Sequence, residues 1–533
     1  MKLLSLLLLA ISTVEAYKIL VYSPFFGHSH MKFMGSIADV LTDAGHDVTV
    51  LMPVFDIVSY KNKATAIKRT KKIIFVDPHP DFANADVDAL RSKMMGGVWT
   101  EDSTNPLTFG KKINDFAEKF KKSCEPVIGN KTLIQQLKDE KFDLAILEPF
   151  YQCPFGLLQA IGLDSYVSAV AASRMDHVSN AIGEPSATSF VPATLTSFTN
   201  NMGVLERLQN TVMYAFGSFF FSHIGDKEYE IVHKHYPEAR PWRELLAESV
   251  FIFTNAIPFL DYPAPTFNKV VPIGGVAVNM KKSANKLDEK WEKILSERKN
   301  TVLVSFGSNA RSIDMPELYK QQMKELFKSM PETTFIWKYE EADTKIVDGI
   351  PNVHTSTWVP QNELLADPRL TLFVTHGGMA SITELVSFGK PSVTVPLFAD
   401  QPKNAKMLAR HGGSILVEKE SLADYRNLKK AIETVLSDGK YLKNAQRLGE
   451  IINNQPVEAK ETLVKYVEFA ARFGKQPHAD PIGRKLSLIQ YFNLDGLAIV
   501  LAVVSLVLFI LYKLGRIVVR KVFCRSCQKT KTE

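Results

Sequence analysis

The sequence predicts an α/β fold of two facing doubly wound domains followed by one transmembrane helix. Three observations carry this. The 533 residues exceed one ordinary core. Strand-like apolar runs alternate with helical stretches in two separate series, the pattern of parallel sheets. Finally, Leu494 to Tyr512 is almost wholly apolar, close to the roughly 20 residues that cross a bilayer.

In chain order, Met1-Lys2, the apolar run Leu3 to Ile11 and the small-residue exit at Ala16 read as a secretory signal over 1–16. Tyr17 to Ser23 is then a buried strand, Phe25 to His30 a Gly/His loop, Met31 to Ala44 a helix and Val48 to Pro53 a strand, a βαβ opening. Further strand-like runs are Lys72 to Val76, Phe142 to Leu147 and Tyr166 to Ala171. The aromatic-rich stretch Phe190 to Ile224, with Phe216, Phe219, Phe220 and Phe221, is too short in its apolar run to span a bilayer. It reads as core packing, with an apolar ligand pocket or a membrane-surface contact as the functional alternative.

The Pro/Gly-rich stretch Tyr262 to Gly275 reads as a linker, and the charged segment Lys281 to Lys293 marks a change of composition. The second series has strands at Thr301 to Ser305, Thr334 to Tyr339, Leu370 to Thr375 and Ser392 to Pro396. The expected domains are therefore 17–275 and 276–490, then a transmembrane helix at 494–512 and a basic tail at 513–533. Two such sheets leave a cleft at their carboxyl ends, where ligands bind in this architecture.

The tail carries seven cations against Glu533, a net +6, and places itself in the cytoplasm. It holds nearly all of the chain's +7, so the bulk is near neutral and nucleic-acid binding is excluded as a main role. Four cysteines cannot make a disulfide scaffold. Only Cys124 and Cys153 face the lumen, where one disulfide is open to them. Cys524 and Cys527 supply half a zinc shell at most and read as palmitoylation sites or plain thiols. Asn130-Lys131-Thr132 is the single N-glycosylation sequon, on the luminal side.

The most specific segment is Trp358-Val359-Pro360-Gln361-Asn362, followed by Thr375-His376-Gly377-Gly378, Glu384, Gly389, Pro391 and Pro396-Leu397-Phe398-Ala399-Asp400-Gln401-Pro402. It closely resembles the signature of the UDP-glycosyltransferases, and the resemblance covers most of the luminal chain, including the opening His loop. That resemblance implies the GT-B fold of two Rossmann-like domains, a UDP-sugar donor, a small lipophilic acceptor, and neither cofactor nor metal. The last five residues resemble a KxKxx retrieval signal, which implies a type I protein of the endoplasmic reticulum membrane; an ordinary basic tail is the alternative.

Residue chemistry agrees with that reading. Gly377 and Gly378 follow a strand and open a helix, so a diphosphate can approach its backbone NH groups, with His376 and the Ser381 turn beside it. Trp358 offers a flat face for uracil, Gln361 amide contacts, and Glu384 a carboxylate for two ribose hydroxyls. Asp400 and Gln401 suit hexose hydroxyls, although a strand-end Asp also serves as a helix N-cap. Ser308, in the loop Ser305-Phe306-Gly307-Ser308, resembles a residue near the diphosphate. Lys338 either adds charge there or is a solvated strand-end lysine.

For catalysis, Gly27-His28-Ser29-His30 offers two imidazoles, and the spacing of His30 to His46 matches the family's base. An imidazole titrates near neutrality, which suits it to take a hydroxyl proton. A carboxylate on its other nitrogen would stabilise the imidazolium. Where the family has Asp, this chain has Glu148, one methylene longer; Asp143, at the far end of the same strand, reads as structural. Ala380 replaces a common Asn. These two departures keep alive a UDP-sugar-binding membrane protein without turnover, and a transferase acting on lipid or protein carriers is a further alternative. The donor sugar, glucose or glucuronic acid, and the oligomeric state stay open.

Overall fold

Long β-branched runs buried on both faces dictate parallel sheets, and two such sheets form. The computed structural model describes residues 16–55, 65–83, 97–102, 106–278 and 287–529. Residues 1–15 of the expected signal, the start of the charged segment at 281–286, residues 530–533 of the expected retrieval signal, and the side chains beyond Lys521 lie outside them. The first sheet comprises β1 (Lys18–Tyr22), β2 (Asp47–Pro53), β3 (Lys72–Val76), β4 (Leu144–Leu147), β5 (Tyr166–Val170), β6 (Ile252–Thr254) and β7 (Val270–Pro272). Its order is β3-β2-β1-β4-β5-β6-β7, all parallel. The second comprises β8 (Asn300–Ser305), β9 (Thr333–Lys338), β10 (Val353–Ser356), β11 (Leu370–Thr375), β12 (Ser392–Thr394) and β13 (Ser414–Leu416). Its order is β10-β9-β8-β11-β12-β13, again all parallel.

Alternation along each strand feeds two core layers. In the first sheet Ile19 and Val21 join Val50 and Ile146 on one face, while Leu20 and Tyr22 join Leu51 and Leu147 on the other. Helix α1 (His28–Asp43) lays Met34, Ile37, Ala38 and Leu41 on the first of these faces, the spacing of one helical stripe. In the second sheet Val302, Val304, Phe335 and Trp337 face one layer and Leu303, Ile336 and Phe373 the other.

Helices α2 (Pro106–Ile128), α3 (Cys153–Ile161) and the 32-residue α4 (Val204–His235) cover the other face of the first sheet. In the second half, α5 (Met379–Ser387) follows β11 and α6 (Gln401–Ala409) follows β12. Helix α7 (Ala459–Phe473) returns to the first sheet and buries Leu463, Val467 and Ala470 against its α1 face. All of this belongs to one unit ending at Asp480; Pro481–Glu533 is a second. In that second unit α8 (Leu494–Lys529) continues through the stretch expected as a tail, and its part Leu494–Lys521 is long and apolar enough to cross a membrane.

Two expectations change, and the aromatic-rich stretch packs in the core as expected for all but part of its length. The helix of the opening βαβ unit begins at His28, so the second half of the Gly/His loop is its first turn. Part of the stretch read as a linker, Val270–Pro272, is the edge strand of the first sheet. The aromatic-rich stretch runs into α4, where Phe220 and Ile224 pack with Phe55, Phe120 and Tyr151 and Phe219 stays 60% exposed.

Cys124 of α2 and Cys153 of α3 form a disulfide, closing a loop around β4. Removing such a link typically costs about 2–4 kcal/mol. Cys153→Ser in the full-length protein in detergent should therefore melt at lower temperature than the wild type, and adding reductant should lower the wild-type midpoint but barely move the variant's.

Candidate active site

In each sheet the strand order reverses once, between β1 and β4 in the first and between β8 and β11 in the second. Loops leaving the carboxyl ends of such neighbours run to opposite faces and open a crevice. The four loops at these positions carry His28 and His30, Glu148, Gly307 and Ser308, and His376 to Gly378. Residues from all four line one cavity of about 750 Å³, the Glu148 turn contributing Phe150 and not Glu148 itself.

On the first half's side, His30 Nδ1 lies 2.6 Å from Glu148 Oε1. The longer Glu spans the gap that an Asp would have to close by a shorter approach. Burial acts to lower the His30 pKa, but the charge and hydrogen bond of Glu148, with Asp400 adding, more than offset it and the net shift is upward. With Nδ1 committed to the carboxylate, Nε2 is the ring atom left for chemistry. Asp143 accepts the Lys18 NH at 2.7 Å, a structural bond far from this pair. The ring of Phe150 stands 5.0 Å from that of His30 and 5.4 Å from that of Phe221 on α4. Met175 and Leu195 extend this apolar wall of the cavity.

His28, two residues earlier, points elsewhere because residues i and i+2 of a helix lie on different faces. Its ring meets Trp358 edge-on at 5.6 Å.

Opposite, Gly378 caps α5 without any side-chain hydrogen bond, so the first-turn NH groups are left for a ligand. The half-buried His376 is held near pKa 4 by desolvation of its ring and by the charge of Lys338, and is neutral at pH 7. Its Nδ1 has no hydrogen-bond partner among the described residues. The ring fits between two glycines: a methyl on Gly378 would come within 2.5 Å of Nε2, and one on Gly307 within 2.7 Å of Cε1. Gly377, at φ +79, occupies the left-handed region that a side chain resists.

At the far end of the cavity, Trp358 is 60% exposed. Gln361 Nε2 donates to Glu384 Oε2, and at 3.4 Å to Ser381 Oγ. The nearly buried Glu384 also accepts Lys32 Nζ, a residue of α1. Asp400 lines the cavity toward His30, and burial raises its pKa although Asn404 Nδ2 donates to it at 2.7 Å. Asp400 stands at the N-cap position of α6, as the alternative has it, but its side chain makes no cap bond.

Across residues 17–529 the chain matches the family described as UDP-glucoronosyl and UDP-glucosyl transferase. It is 28% identical to UDP-glucuronosyltransferase 1-2 of Rattus norvegicus, over 96% of this chain and 93% of that protein. It is 26% identical to 2-hydroxyacylsphingosine 1-beta-galactosyltransferase of Homo sapiens, over 96% of this chain and 91% of that one. A solved UDP-glucosyltransferase of Polygonum tinctorium, 15% identical, superposes with a TM-score of 0.55 over 86% of this chain and all of that one, and shares the GT-B fold. The chain belongs to the UDP-glucuronosyl and UDP-glucosyl transferase family. It is a glycosyltransferase that draws on a UDP-sugar.

Within this transferase, His30, Ser308, Lys338, Trp358, Gln361, His376, Gly378, Ser381, Glu384, Asp400 and Gln401 converge on one cavity, with Glu148 behind His30 and Gly377 behind the cradle. Two side chains differ from expectation in detail. Lys338 is buried rather than solvated, donating to the Gly307 carbonyl and to Glu340, both at 2.8 Å, so it supports the glycine loop. Gln401 spends its Oε1 on the Leu397 and Phe398 NH groups. Lys32, Phe150 and Asn404 were not anticipated; no motif contains Lys32, and only its position four residues after His28 on one helix face hints at it.

Two measurements check this geometry. In Glu148→Gln the main upward influences are gone while burial remains and only Asp400 still opposes it, so the His30 titration followed by NMR should fall from its position above the ordinary imidazole value. Gly307→Ala and Gly378→Ala should each displace the His376 ring and weaken UDP binding in calorimetry by about tenfold, the scale of 1.4 kcal/mol.

Proposed function

We propose that this protein transfers glucose or glucuronic acid from a UDP-sugar, with inversion, to a hydroxyl of a small lipophilic acceptor at the membrane of the endoplasmic reticulum. One observation carries the reading: the His30–Glu148 pair of the first half shares a cavity with the uncapped α5 terminus and His376 of the second. His30 Nε2 takes the acceptor's hydroxyl proton as that oxygen attacks the anomeric carbon. The bond from that carbon to the β-phosphate oxygen breaks, and UDP leaves with the electron pair. Glu148 stabilises the imidazolium. The departing diphosphate meets the α5 NH groups, His376 and Ser308. Trp358 and Gln361 hold the base, Glu384 the ribose, and Asp400 with Gln401 the hexose.

The acceptor would lie against Phe150, Phe221, Met175 and Leu195, an apolar wall beside the base. A transferase acting on a lipid is the second reading, favoured by similarity to the human acylsphingosine galactosyltransferase. The 2.6 Å pair weighs against a binding protein without turnover, because Glu148 meets His30 as an Asp would.

The location rests on the signal-like start, the apolar α8, the basic tail and the KxKxx ending. The Cys124–Cys153 disulfide adds support, since such links persist in oxidising compartments. In this arrangement residues 17–490 are luminal.

UDP release measured across UDP-glucose, UDP-glucuronic acid and a panel of phenols, sterols and sphingoid lipids tests donor and acceptor together. His30→Ala should lower kcat by about 10²–10⁴-fold while leaving UDP binding intact. Full turnover in that variant would end the proposal.

A further inference from the structure

We propose that Lys32, contributed by the half that carries the base, is a donor-positioning residue: it pairs with Glu384 and holds it oriented for the ribose. This rests on the role proposed above for Glu384.

Lys32 lies in α1, two residues after His30 and four after His28. The four-residue spacing puts Lys32 on the His28 face, the face that meets Trp358. The two-residue spacing sends His30 to another face, toward Glu148. One rigid turn of helix thus touches the nucleoside end of the cavity with one side and carries the base on another.

The pair it makes crosses between the two halves. Lys32 Nζ donates to Glu384 Oε1, while Gln361 Nε2 donates to Oε2. The Glu384 side chain is 4% exposed and that of Lys32 23%. A carboxylate this buried is costly unless a cation compensates it and its oxygens are hydrogen-bonded. Gln361 supplies a neutral donor, so Lys32 is the cation in direct contact.

An ionised carboxylate has about four acceptor positions on its two oxygens. Lys32 and Gln361 fill one on each oxygen, which leaves one on each for the two ribose hydroxyls. The lysine therefore need not leave when the donor arrives. Without it, the Glu384 side chain would lose the cation that holds its Oε1 in place, and the ribose would lose an oriented acceptor.

Lys32 and His30 share one helix turn, so a ribose registered on Glu384 is registered on the base as well. The anomeric carbon is fixed from both ends of the donor by a single element.

The test uses the full-length enzyme in detergent with Lys32→Met and Lys32→Arg, measuring UDP binding by calorimetry together with kcat and both KM values. Lys32→Met should weaken UDP binding and raise the donor KM by about tenfold, the scale of one hydrogen bond to a charged group. The loss should fall on the donor KM rather than on the acceptor KM, and Lys32→Arg should recover most of it. Adding Lys32→Met to Glu384→Gln should cost little more than Glu384→Gln alone. Unchanged or tighter UDP binding in Lys32→Met, equal losses for donor and acceptor, or no recovery by arginine would overturn the inference. Wild-type enzyme that binds no UDP would instead overturn the functional reading on which it stands.

Discussion

A parallel strand can pass its chain to either face of its sheet, and only where two neighbours choose opposite faces does a crevice open between their loops. This chain makes that choice twice, at β1 beside β4 and at β8 beside β11. Everything chemical depends on it. The registers Val21 with Ile146 and Val304 with Val374 set the strand ends level, so Tyr22 and Leu147 finish together, as do Ser305 and Thr375. His30 and Glu148 come within bonding distance because their strands are adjacent and end together, although 118 residues separate them. The same holds for Gly307 and the His376 ring that its missing side chain admits.

The charges brought together in this crevice are settled mostly in pairs. His30 has Glu148, Lys338 has Glu340, Glu384 has Lys32 and Gln361, and Asp400 has Asn404. Such pairing is what burial demands, since an unpaired charge in a low-dielectric site costs several kcal/mol or neutralises itself. What it leaves is informative. The α5 NH groups lack a side-chain cap, and the buried Nδ1 of His376 lacks a partner among the described residues. Both lie on the second half and both suit an anion with oxygen acceptors. On the side of the base the atom left over is an acceptor, Glu148 Oε2, buried and without a partner among the described residues, so the groups that suit a charged donor are those of the second half.

Much of this was legible in the sequence for a specific reason. Long runs such as Lys72–Val76 and Leu370–Thr375 are strands with the expected bounds because continuous β-branched and aromatic residues leave few other conformations. The strands that escaped notice, Ile252–Thr254, Val270–Pro272, Val353–Ser356 and Ser414–Leu416, have three or four residues and lie toward the ends of the sheets. Too short to show a period, they are fixed by pairing alone. Helix α1 starts earlier than expected because Gly27, at φ +60, turns the chain without the Ser, Thr, Asp or Asn that would have announced a cap. In the site, residues within a motif could be placed by their neighbours. Lys32 could not, since it lies in no motif and its partner, the motif residue Glu384, is 352 positions away.

The substitution of Glu for Asp at position 148 illustrates how a local departure can be absorbed. A carboxylate serving an imidazole needs its oxygen near Nδ1, and the backbone position it hangs from is secondary. Glu148 sits immediately after β4, in a turn where Tyr151 NH bonds back to the Glu148 carbonyl at 3.2 Å and the next helix begins at Cys153. That helix is tied on one side by the disulfide to α2. On another it is tied by the buried Glu228 of α4, which accepts the Gln152 NH at 2.5 Å. Burial pushes Glu228 up to about 8, so near neutral pH this contact is made largely by a carboxylic acid rather than by a buried anion. With the turn so anchored, the extra methylene of Glu148 is spent within the side chain, whose one oxygen reaches His30 while the backbone stays with its strand. A longer acid is accommodated because the frame behind it is held from three directions, by β4, by α2 and by α4.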